Sequence, residues 1–175
     1  MTGVQTCALP ILLETCGLWH STNENSTLPL RAATIEELNL VHTSDYIAAV
    51  QTLGAAGEVE TLDSEHLQLA IKYGFAEGDT PVLPRMHEVS ARIAGGSLVA
   101  LNTVMGISDD GRIIPEDERT LHVFHPAGGL HHAWAERASG FCIYNDISVA
   151  IASVLRASEA KILYIDFDAH HGDGV

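Results

Sequence analysis

The segment Lys161-Ile-Leu-Tyr-Ile-Asp-Phe-Asp168 decides the fold class. Its apolar residues fall on both faces of an extended chain, a pattern typical of a buried parallel strand. Upstream, residues 145–157 have the apolar spacing of a helix, and Thr120-Leu-His-Val-Phe-His125 predicts a shorter strand before it. A strand, helix and strand in this order form a βαβ unit, whose right-handed crossover implies a parallel sheet. The sequence therefore predicts an α/β domain.

Polar side chains follow both predicted strands. The first strand leads into a glycine-rich loop, Pro126-Ala-Gly-Gly-Leu-His-His132, and the second ends in a polar set: Asp166, Asp168, His170, His171 and Asp173. Functional groups gather at the carboxyl ends of strands in open α/β sheets. The two sets are therefore expected to lie close together.

The spacing of Asp166, Asp168 and His170 places them on one face of an extended chain. Asp168-x-His170 offers a carboxylate oxygen and an imidazole nitrogen, both of which Zn²⁺ accepts. A catalytic zinc needs a third protein ligand, and no obvious one stands elsewhere in the chain. The spacing alone leaves two interpretations open, a metal half-site or a solvated polar loop.

The remaining elements are predicted to be helices and loops. Thr34 and Glu37 have capping-box spacing, which predicts a short helix to about Val41. We expect Ser44 to cap a second helix over 45–53, and a third over 64–73 to end at Gly74. A long helix over 85–105 contains Gly95-Gly96, which suggests close packing against a neighbour. Further expectations are the end of a helix and a turn at Gly17 within 12–19, and loops over 20–30, 74–81 and 106–118.

Composition narrows the possible partners. Nine Lys and Arg against 23 Asp and Glu give the 175-residue chain a net charge of −14. Nucleic-acid binding is disfavoured because phosphate neutralisation needs clustered cations, and no apolar run reaches the length of a membrane span. An acidic chain would tolerate a cationic substrate, although acidity also simply aids solubility. Three cysteines form no disulfide framework, so reduced thiols in the cytoplasm are expected.

Both ends of the sequence have an artificial pattern. Residues 1–11, Met-Thr-Gly-Val-Gln-Thr-Cys-Ala-Leu-Pro-Ile, fit no targeting class and resemble a translated sequencing adapter. The sequence also stops directly after the polar set, at Gly172-Asp-Gly-Val175. We expect residues 1–11 to be non-native and residues 12–175 to form part of a longer domain.

Three consecutive strings of the sequence resemble signatures of the histone deacetylase family: Gly128-Gly-Leu-His-His-Ala133, Ala138-Ser-Gly-Phe-Cys-Ile-Tyr-Asn-Asp146 and Tyr164-Ile-Asp-Phe-Asp-Ala-His-His-Gly-Asp-Gly-Val175. Weaker similarity extends upstream, so it covers nearly all of 35–175. Within the family the chain is most similar to the prokaryotic acetoin-utilization (AcuC-type) deacetylases. The resemblance implies a three-layer arginase/deacetylase-like fold with a central, mainly parallel sheet, of which this chain holds the N-terminal portion.

The resemblance also implies the chemistry, zinc-dependent hydrolysis of acetyl-lysine amides. Asp168 and His170 would be two zinc ligands, with a third, an Asp, expected beyond Val175 together with the tyrosine that polarises the carbonyl. His131 and His132 would flank the reacting water, with His132 favoured as general base. Asp166 matches the family partner of His131, and Asp173 that of His132.

For the substrate, the resemblance implies that Gly140 and Phe141 line the tunnel that holds the acyl-lysine stem. Asp79 would contact the substrate backbone, although a solvated loop acid is nearly as good an interpretation. A potassium ion held by Asp166, Asp168 and His170 is a further family expectation. Cys142 has no base in a nucleophilic pattern and is expected to be buried.

Three other interpretations remain open at this stage. An acetylpolyamine amidohydrolase would act on small acetylated amines instead of acetylated protein. A non-catalytic, metal-stabilised binding module would share the fold without the activity. An arginase-type hydrolase with two metal ions is a weaker alternative, because the tandem histidine and Gly140-Phe141-Cys142 speak against it.

Overall fold

The structure, a computed structural model, describes residues 15–17, 28–75, 79–108 and 111–175. Five α-helices lie in these ranges: α1 (Ile35–Leu38), α2 (Ser44–Ala56), α3 (Ser64–Tyr73), α4 (Met86–Val104) and α5 (Asp146–Ala157). Two short 3₁₀ helices, Val59–Thr61 and Glu116–Glu118, lie in the connections. No helix among the described residues has the length and hydropathy needed to cross a membrane.

Side-chain caps lie at the start of four of the five helices, α1, α2, α3 and α5. Thr34 and Glu37 form the predicted capping box at α1, which is shorter than expected and ends at Leu38. The cap of α2 is Thr43, whose hydroxyl accepts the Tyr46 N–H, so the prediction of Ser44 as the cap was wrong by one residue. Helix α3 has the predicted bounds and ends at Gly74, whose φ of 85° lies in the left-handed region that glycine favours.

The long helix α4 packs closely on its neighbours, as its two glycines predict. A Cβ on Gly95 would lie 2.0 Å from the Arg31 carbonyl oxygen, and one on Gly96 would lie 2.5 Å from the His125 ring. Ordinary contacts begin at 3.4 Å, so only glycine allows these approaches. Helix α4 also packs along α5, which together with α2 and α3 forms the helical part of the core.

The core is built around buried aromatic rings. Tyr46 is buried at its centre. The ring centroids of three other buried residues lie 5.6–6.1 Å from that of Tyr46: Tyr73, Phe75 and Tyr144. The Tyr46 hydroxyl donates to the Ile143 carbonyl at 2.7 Å, which satisfies its one polar atom. Aliphatic side chains from α1, α2 and α4 complete the core: Leu38, Ile47, Val50, Leu53 and Leu98.

The two predicted strands are not present in the described residues. Neither 120–125 nor 161–168 forms a strand, and the β-structure seen consists of isolated bridges such as Ile107–Ile113 and Ser139–Cys142. Leu163, Ile165 and Phe167 are 82%, 60% and 94% exposed. A parallel strand needs a neighbour to bond its N–H and C=O groups, and the described residues supply none beside this segment. The parallel sheet is therefore not observed, although the apolar pattern that predicted it is real.

Four predictions fall partly outside the described residues. The turn at Gly17 is seen, with φ of 68°, whereas the rest of the 12–19 segment apart from 15–17 lies outside. Residues 76–78 of the predicted loop over 74–81 also lie outside, and so do 109–110 of the loop over 106–118 and 20–27 of the loop over 20–30. Residues 1–11 are outside as well.

Candidate active site

The tandem histidines lie in the loop that precedes α5. The His131 side chain is 8% exposed and the His132 side chain 19%, and their ring centroids are 4.2 Å apart. The Gly174 N–H donates to the His131 carbonyl at 2.8 Å, which brings the last polar segment against the loop. The residues that follow the two predicted strands therefore meet, although neither strand forms.

Each histidine has a carboxylate behind its Nδ1 atom. His131 Nδ1 lies 2.7 Å from Asp166 Oδ2, and His132 Nδ1 lies 2.6 Å from Asp173 Oδ1. An ionised carboxylate only accepts, so each Nδ1 must carry the proton that it donates. In the neutral rings, Nε2 is then left with a free lone pair. These are the two pairs that the sequence resemblance implied.

Asp166 is held ionised by several donors at once. The His131 ring, the Tyr164 hydroxyl at 2.5 Å and the Asp168 backbone N–H at 2.9 Å all donate to its carboxylate. These hydrogen bonds, that of His131 first, hold the Asp166 pKa well below its usual range. The hydrogen bond from His132 likewise lowers the pKa of Asp173. Both carboxylates are therefore fixed acceptors at neutral pH.

Tyr164 belongs to this network and was not predicted. Burial and its hydrogen bond to Asp166 raise its pKa to about 12, so it stays protonated and donates. In the sequence, Tyr164 falls within the segment that was predicted to be a buried strand. The signal that could have identified it is its i, i+2 spacing to Asp166, which places both on one face of an extended chain.

Asp168 and His170 form a carboxylate–imidazole pair beside the histidines. Asp168 Oδ1 accepts from the His170 backbone N–H at 2.7 Å and lies 2.9 Å from His170 Nδ1. The backbone hydrogen bond is the main cause of a lowered Asp168 pKa. The His132 and His170 ring centroids are 6.0 Å apart, and His131 Nε2 lies 4.0 Å from Asp168 Oδ1. The pair therefore faces the same space as the tandem histidines.

The pair fits two corners of a zinc site by donor type and spacing. Two tetrahedral zinc ligands at about 2.0–2.1 Å from the ion stand roughly 3.3 Å apart, close to the separation seen between Nδ1 and Oδ1. A cation there would replace the proton that the two atoms now share. Among the described residues no group of three His, Cys, Asp or Glu side chains converges as a complete metal site.

The predicted substrate-binding residues lie close to one another, and one of them, Gly140, lies against the His132 ring. Asp79, Thr80 and Gly140 line one small recess. Gly140 has φ of 52°, and a Cβ there would lie 2.4 Å from His132 Cδ2. Phe141 has φ of 66° and is 56% exposed, and its N–H donates to the Thr80 hydroxyl at 3.0 Å. The structure thus brings Asp79, Gly140 and Phe141 to one edge of the site, with Thr80 as a connecting residue that the sequence did not predict.

Cys142 is buried, as expected, and burial raises its pKa to about 11. Its thiol donates to the Gly140 carbonyl at 3.3 Å. A protonated thiol held in this way is a poor nucleophile, so Cys142 packs beside the site without taking part in its chemistry.

Asn145 and Asp146 are the other residues that sequence reasoning missed. Asn145 caps α5 and Asp146 is its first residue, and both are almost fully buried. Their position at a predicted helix start was visible in the sequence. Their contacts with the histidine loop were not, because the partners are backbone groups.

Comparison with known proteins shows the family of the chain. The histone deacetylase domain matches residues 5–175 of the chain, and the chain belongs to this family of hydrolases. It is 46% identical over 145 residues to the acetoin utilization protein AcuC of Bacillus subtilis, and 40% identical over 147 residues to that of Staphylococcus xylosus. These alignments cover 83% and 82% of the chain but 33% of each relative, so the chain spans about a third of the length of the proteins that it matches.

The structural comparison gives the same family. The crystal structure of an HDAC homologue from Aquifex aeolicus superposes with a TM-score of 0.69 at 32% identity, covering 93% of this chain and 38% of that one. A second structure of an HDAC homologue, complexed with SAHA, matches equally well. The described helices and loops therefore have the arrangement of a histone deacetylase homologue, with the sheet not formed in the described part.

Proposed function

We propose that this chain carries the water-activating part of a zinc-dependent deacetylase that hydrolyses acetyl-lysine amides. The observation that carries the proposal is the pair of adjacent imidazoles, each with a carboxylate on Nδ1 at 2.6–2.7 Å. Such carboxylates fix the tautomer and the orientation of the ring. Family membership supports amide hydrolysis as the reaction.

Asp168 and His170 would hold the zinc ion, with a third ligand from outside the described residues. When bound, zinc supplies a Lewis acid that polarises the acyl carbonyl and lowers the pKa of water. A potassium ion held by Asp166, Asp168 and His170 remains a proposal as well. The measurement for both is the metal content of purified protein.

The two histidines would divide the proton transfers between them. We assign His132 as general base, because its side chain is the more exposed of the two and its ring faces His170. Its free Nε2 takes a proton from water as the oxygen adds to the acyl carbon. The C–N bond then breaks, the amine leaves with a proton returned from an imidazolium, and acetate remains. His131 would donate in this second step in its protonated form, in which Nε2 also carries a proton, and that form would stabilise the developing negative charge.

The neighbouring residues would bind the substrate. Phe141 follows Gly140 and has an exposed ring, so the methylene chain of an acyl-lysine could pack against it. The absence of a side chain at Gly140 leaves room for the His132 ring, and Asp79 could accept hydrogen bonds from a substrate backbone. The net charge of −14 would attract a cationic peptide. The buried free thiol of Cys142 agrees with a cytoplasmic location, which we propose on that ground.

The test uses the whole protein that would contain this chain. Asp168→Ala removes one metal ligand, so we expect zinc content by atomic emission and deacetylation of an acetyl-lysine peptide both to be lost. The matched control is Asp45→Ala, an exposed residue in the first turn of α2, which should retain both. Full zinc content and activity in the Asp168 variant would refute the proposal.

Two further measurements refine the assignment. Only two candidate ligands converge among the described residues, so we expect the 175-residue chain by itself to show no deacetylation. Acetylputrescine in competition with the acetyl-lysine peptide tests the substrate. If the small amine is hydrolysed with the higher kcat/KM, the protein is an acetylpolyamine amidohydrolase instead.

A further inference from the structure

A buried carboxylate lies behind the histidine loop and has no role in the chemistry described so far. Asp146, the first residue of α5, is 1% exposed. The Leu130 N–H donates to its Oδ1 at 2.7 Å, and the Gly129 N–H lies 3.2 and 3.1 Å from its two oxygens. The Ser97 hydroxyl of α4 donates to Oδ2 in a very short hydrogen bond. All donors to Asp146 among the described residues are thus uncharged.

The carboxylate is oriented toward the loop instead of toward its own helix. Asn145 already caps α5, since its side-chain oxygen accepts the Ser148 N–H at 2.9 Å. The start of the helix is therefore satisfied without Asp146. A buried carboxylate costs free energy unless several donors surround it, so a residue needed only to begin a helix would not be expected to occupy this position as an acid.

The glycines of the loop make this contact possible. A Cβ on Gly128 would lie 2.7 Å from Asp146 Oδ2, 2.8 Å from His125 Cδ2 and 2.9 Å from Ser97 Oγ. All three distances are below the 3.0 Å that real Cβ atoms respect. Gly129 has φ of 98°, a backbone conformation that L side chains rarely adopt. The Gly128-Gly129 pair therefore lets the backbone reach the carboxylate.

The other end of the loop is bound by Asn145, the residue before Asp146. Asn145 Nδ2 donates to the Ala133 carbonyl at 3.0 Å, directly after His132. The Asn145 backbone N–H donates to Nε2 of the buried His42 at 3.0 Å. Burial lowers the pKa of His42 to about 4, so this ring stays neutral and continues to accept. His131 and His132 thus lie in a loop whose two ends are bound to consecutive residues, the cap of α5 and its first residue.

We propose that Asp146 is a positioning residue for His131 and His132, acting through the backbone amides of Gly129 and Leu130. This inference rests on the proposed function, in which the two imidazoles move protons. The carboxylate sets the path of the loop, and the loop directs Nδ1 of each ring toward its own partner, Asp166 or Asp173.

Asp146→Asn tests the proposal in the whole zinc-loaded protein. The asparagine amide has the same shape as the carboxylate but one acceptor oxygen instead of two. Its NH₂ group would therefore face a donor whose hydrogen bond Asp146 now accepts. We expect kcat to fall about 10- to 100-fold, the range seen when groups that orient a catalytic ligand are altered, with KM and zinc content unchanged. Asp63→Asn is the matched control, because Asp63 caps α3 and accepts the His66 N–H of its own helix at 2.9 Å instead of an amide of the histidine loop.

A second readout does not depend on turnover. The imidazole ¹⁵N signals of His131 and His132 report the hydrogen bonds to their carboxylates. These signals should shift in Asp146→Asn and stay in place in Asp63→Asn. If the unaltered protein has no deacetylase activity, the proposed function fails, but the imidazole signals still decide whether Asp146 positions the rings.

Two results would overturn the inference. One is an Asp146→Asn protein that folds cooperatively with kcat and both imidazole signals unchanged. The other is a loss of activity that appears only with a loss of folding, while the imidazole signals of the folded fraction stay in place. If Asp146→Asn does not fold, Ser97→Ala takes its place, because it removes one donor to the same carboxylate and leaves the loop sequence intact. A shift of the imidazole signals in Ser97→Ala then supports the inference, and unchanged signals overturn it.

Discussion

Replacing Gly140 by alanine should damage catalysis through a single steric contact. The added Cβ would lie 2.4 Å from His132 Cδ2, which is 1.0 Å short of the 3.4 Å at which ordinary contact begins. The neighbours on that side are atoms of the His132 ring and its Cβ, so the ring itself must move by roughly this distance. A misplacement of about 1 Å in a reacting group can cost on the order of 100-fold in rate, or about 2.7 kcal/mol of transition-state stabilisation.

The control for Gly140→Ala separates the steric contact from backbone strain. Gly140 has φ of 52°, so alanine there also adopts a left-handed conformation that costs roughly 1–2 kcal/mol of stability. Gly111→Ala carries the same kind of strain, because its φ is 79°, but a Cβ there meets nothing within 4 Å. We expect both variants to lose a similar amount of thermal stability and only Gly140→Ala to lose kcat.

The assay is deacetylation of an acetyl-lysine peptide by the whole protein, with kcat and KM measured separately. Thermal unfolding is recorded for each variant. If Gly140→Ala retains the kcat of the unaltered protein, or if Gly111→Ala loses as much, the placement of the His132 ring against Gly140 is refuted.

Two further predictions follow from the pKa shifts. The pKa of Asp166 in the folded protein is held below its usual value of 3.8. Ionised Asp166 therefore stabilises the folded state above pH 3.8. This stabilisation is lost as the pH falls through the lower pKa of the folded state. The difference in urea midpoint between the unaltered protein and Asp166→Asn should therefore be constant near neutrality and shrink below about pH 4; a difference that stays constant down to pH 2 would contradict this. Burial raises the Cys142 pKa to about 11, whereas Cys16 is exposed. Iodoacetamide at pH 8 should therefore label Cys16 and spare Cys142 in the native protein, and equal labelling of the two in a peptide map would show that Cys142 is accessible.

The helices could be predicted because their signals are local. The capping box at Thr34 and Glu37 and the glycine at the end of α3 act within a few residues of chain, and the structure has both where the sequence placed them. The one shifted cap, Thr43 in place of Ser44, is an error between adjacent residues with equivalent hydroxyls.

The predicted sheet depends on partners that sequence patterns cannot supply. The segment 161–168 has the composition of a buried strand, but a strand exists only when a neighbour bonds its backbone. None does so among the described residues, and Leu163 and Phe167 are exposed instead. The apolar pattern therefore predicted the preference of this segment for strand conformation, but it could not predict whether a strand forms in this chain.

The contacts of the site that join two side chains could be predicted. His131 with Asp166 and His132 with Asp173 were expected from the resemblance and lie in contact. Asp146 was missed because its partners are the amides of Gly129 and Leu130, and a backbone N–H has no residue identity to recognise.

The exposed apolar segment has a consequence for handling the protein. Residues 162–167 combine strong β-propensity with a single charge and no proline, which is the composition of segments that pair edge to edge between molecules. Phe167 and Leu163 are the most exposed large apolar side chains near the site. Concentrating the 175-residue chain should therefore favour intermolecular β-pairing through this segment. Aggregation, more than unfolding, then limits the concentration at which the isolated chain can be handled.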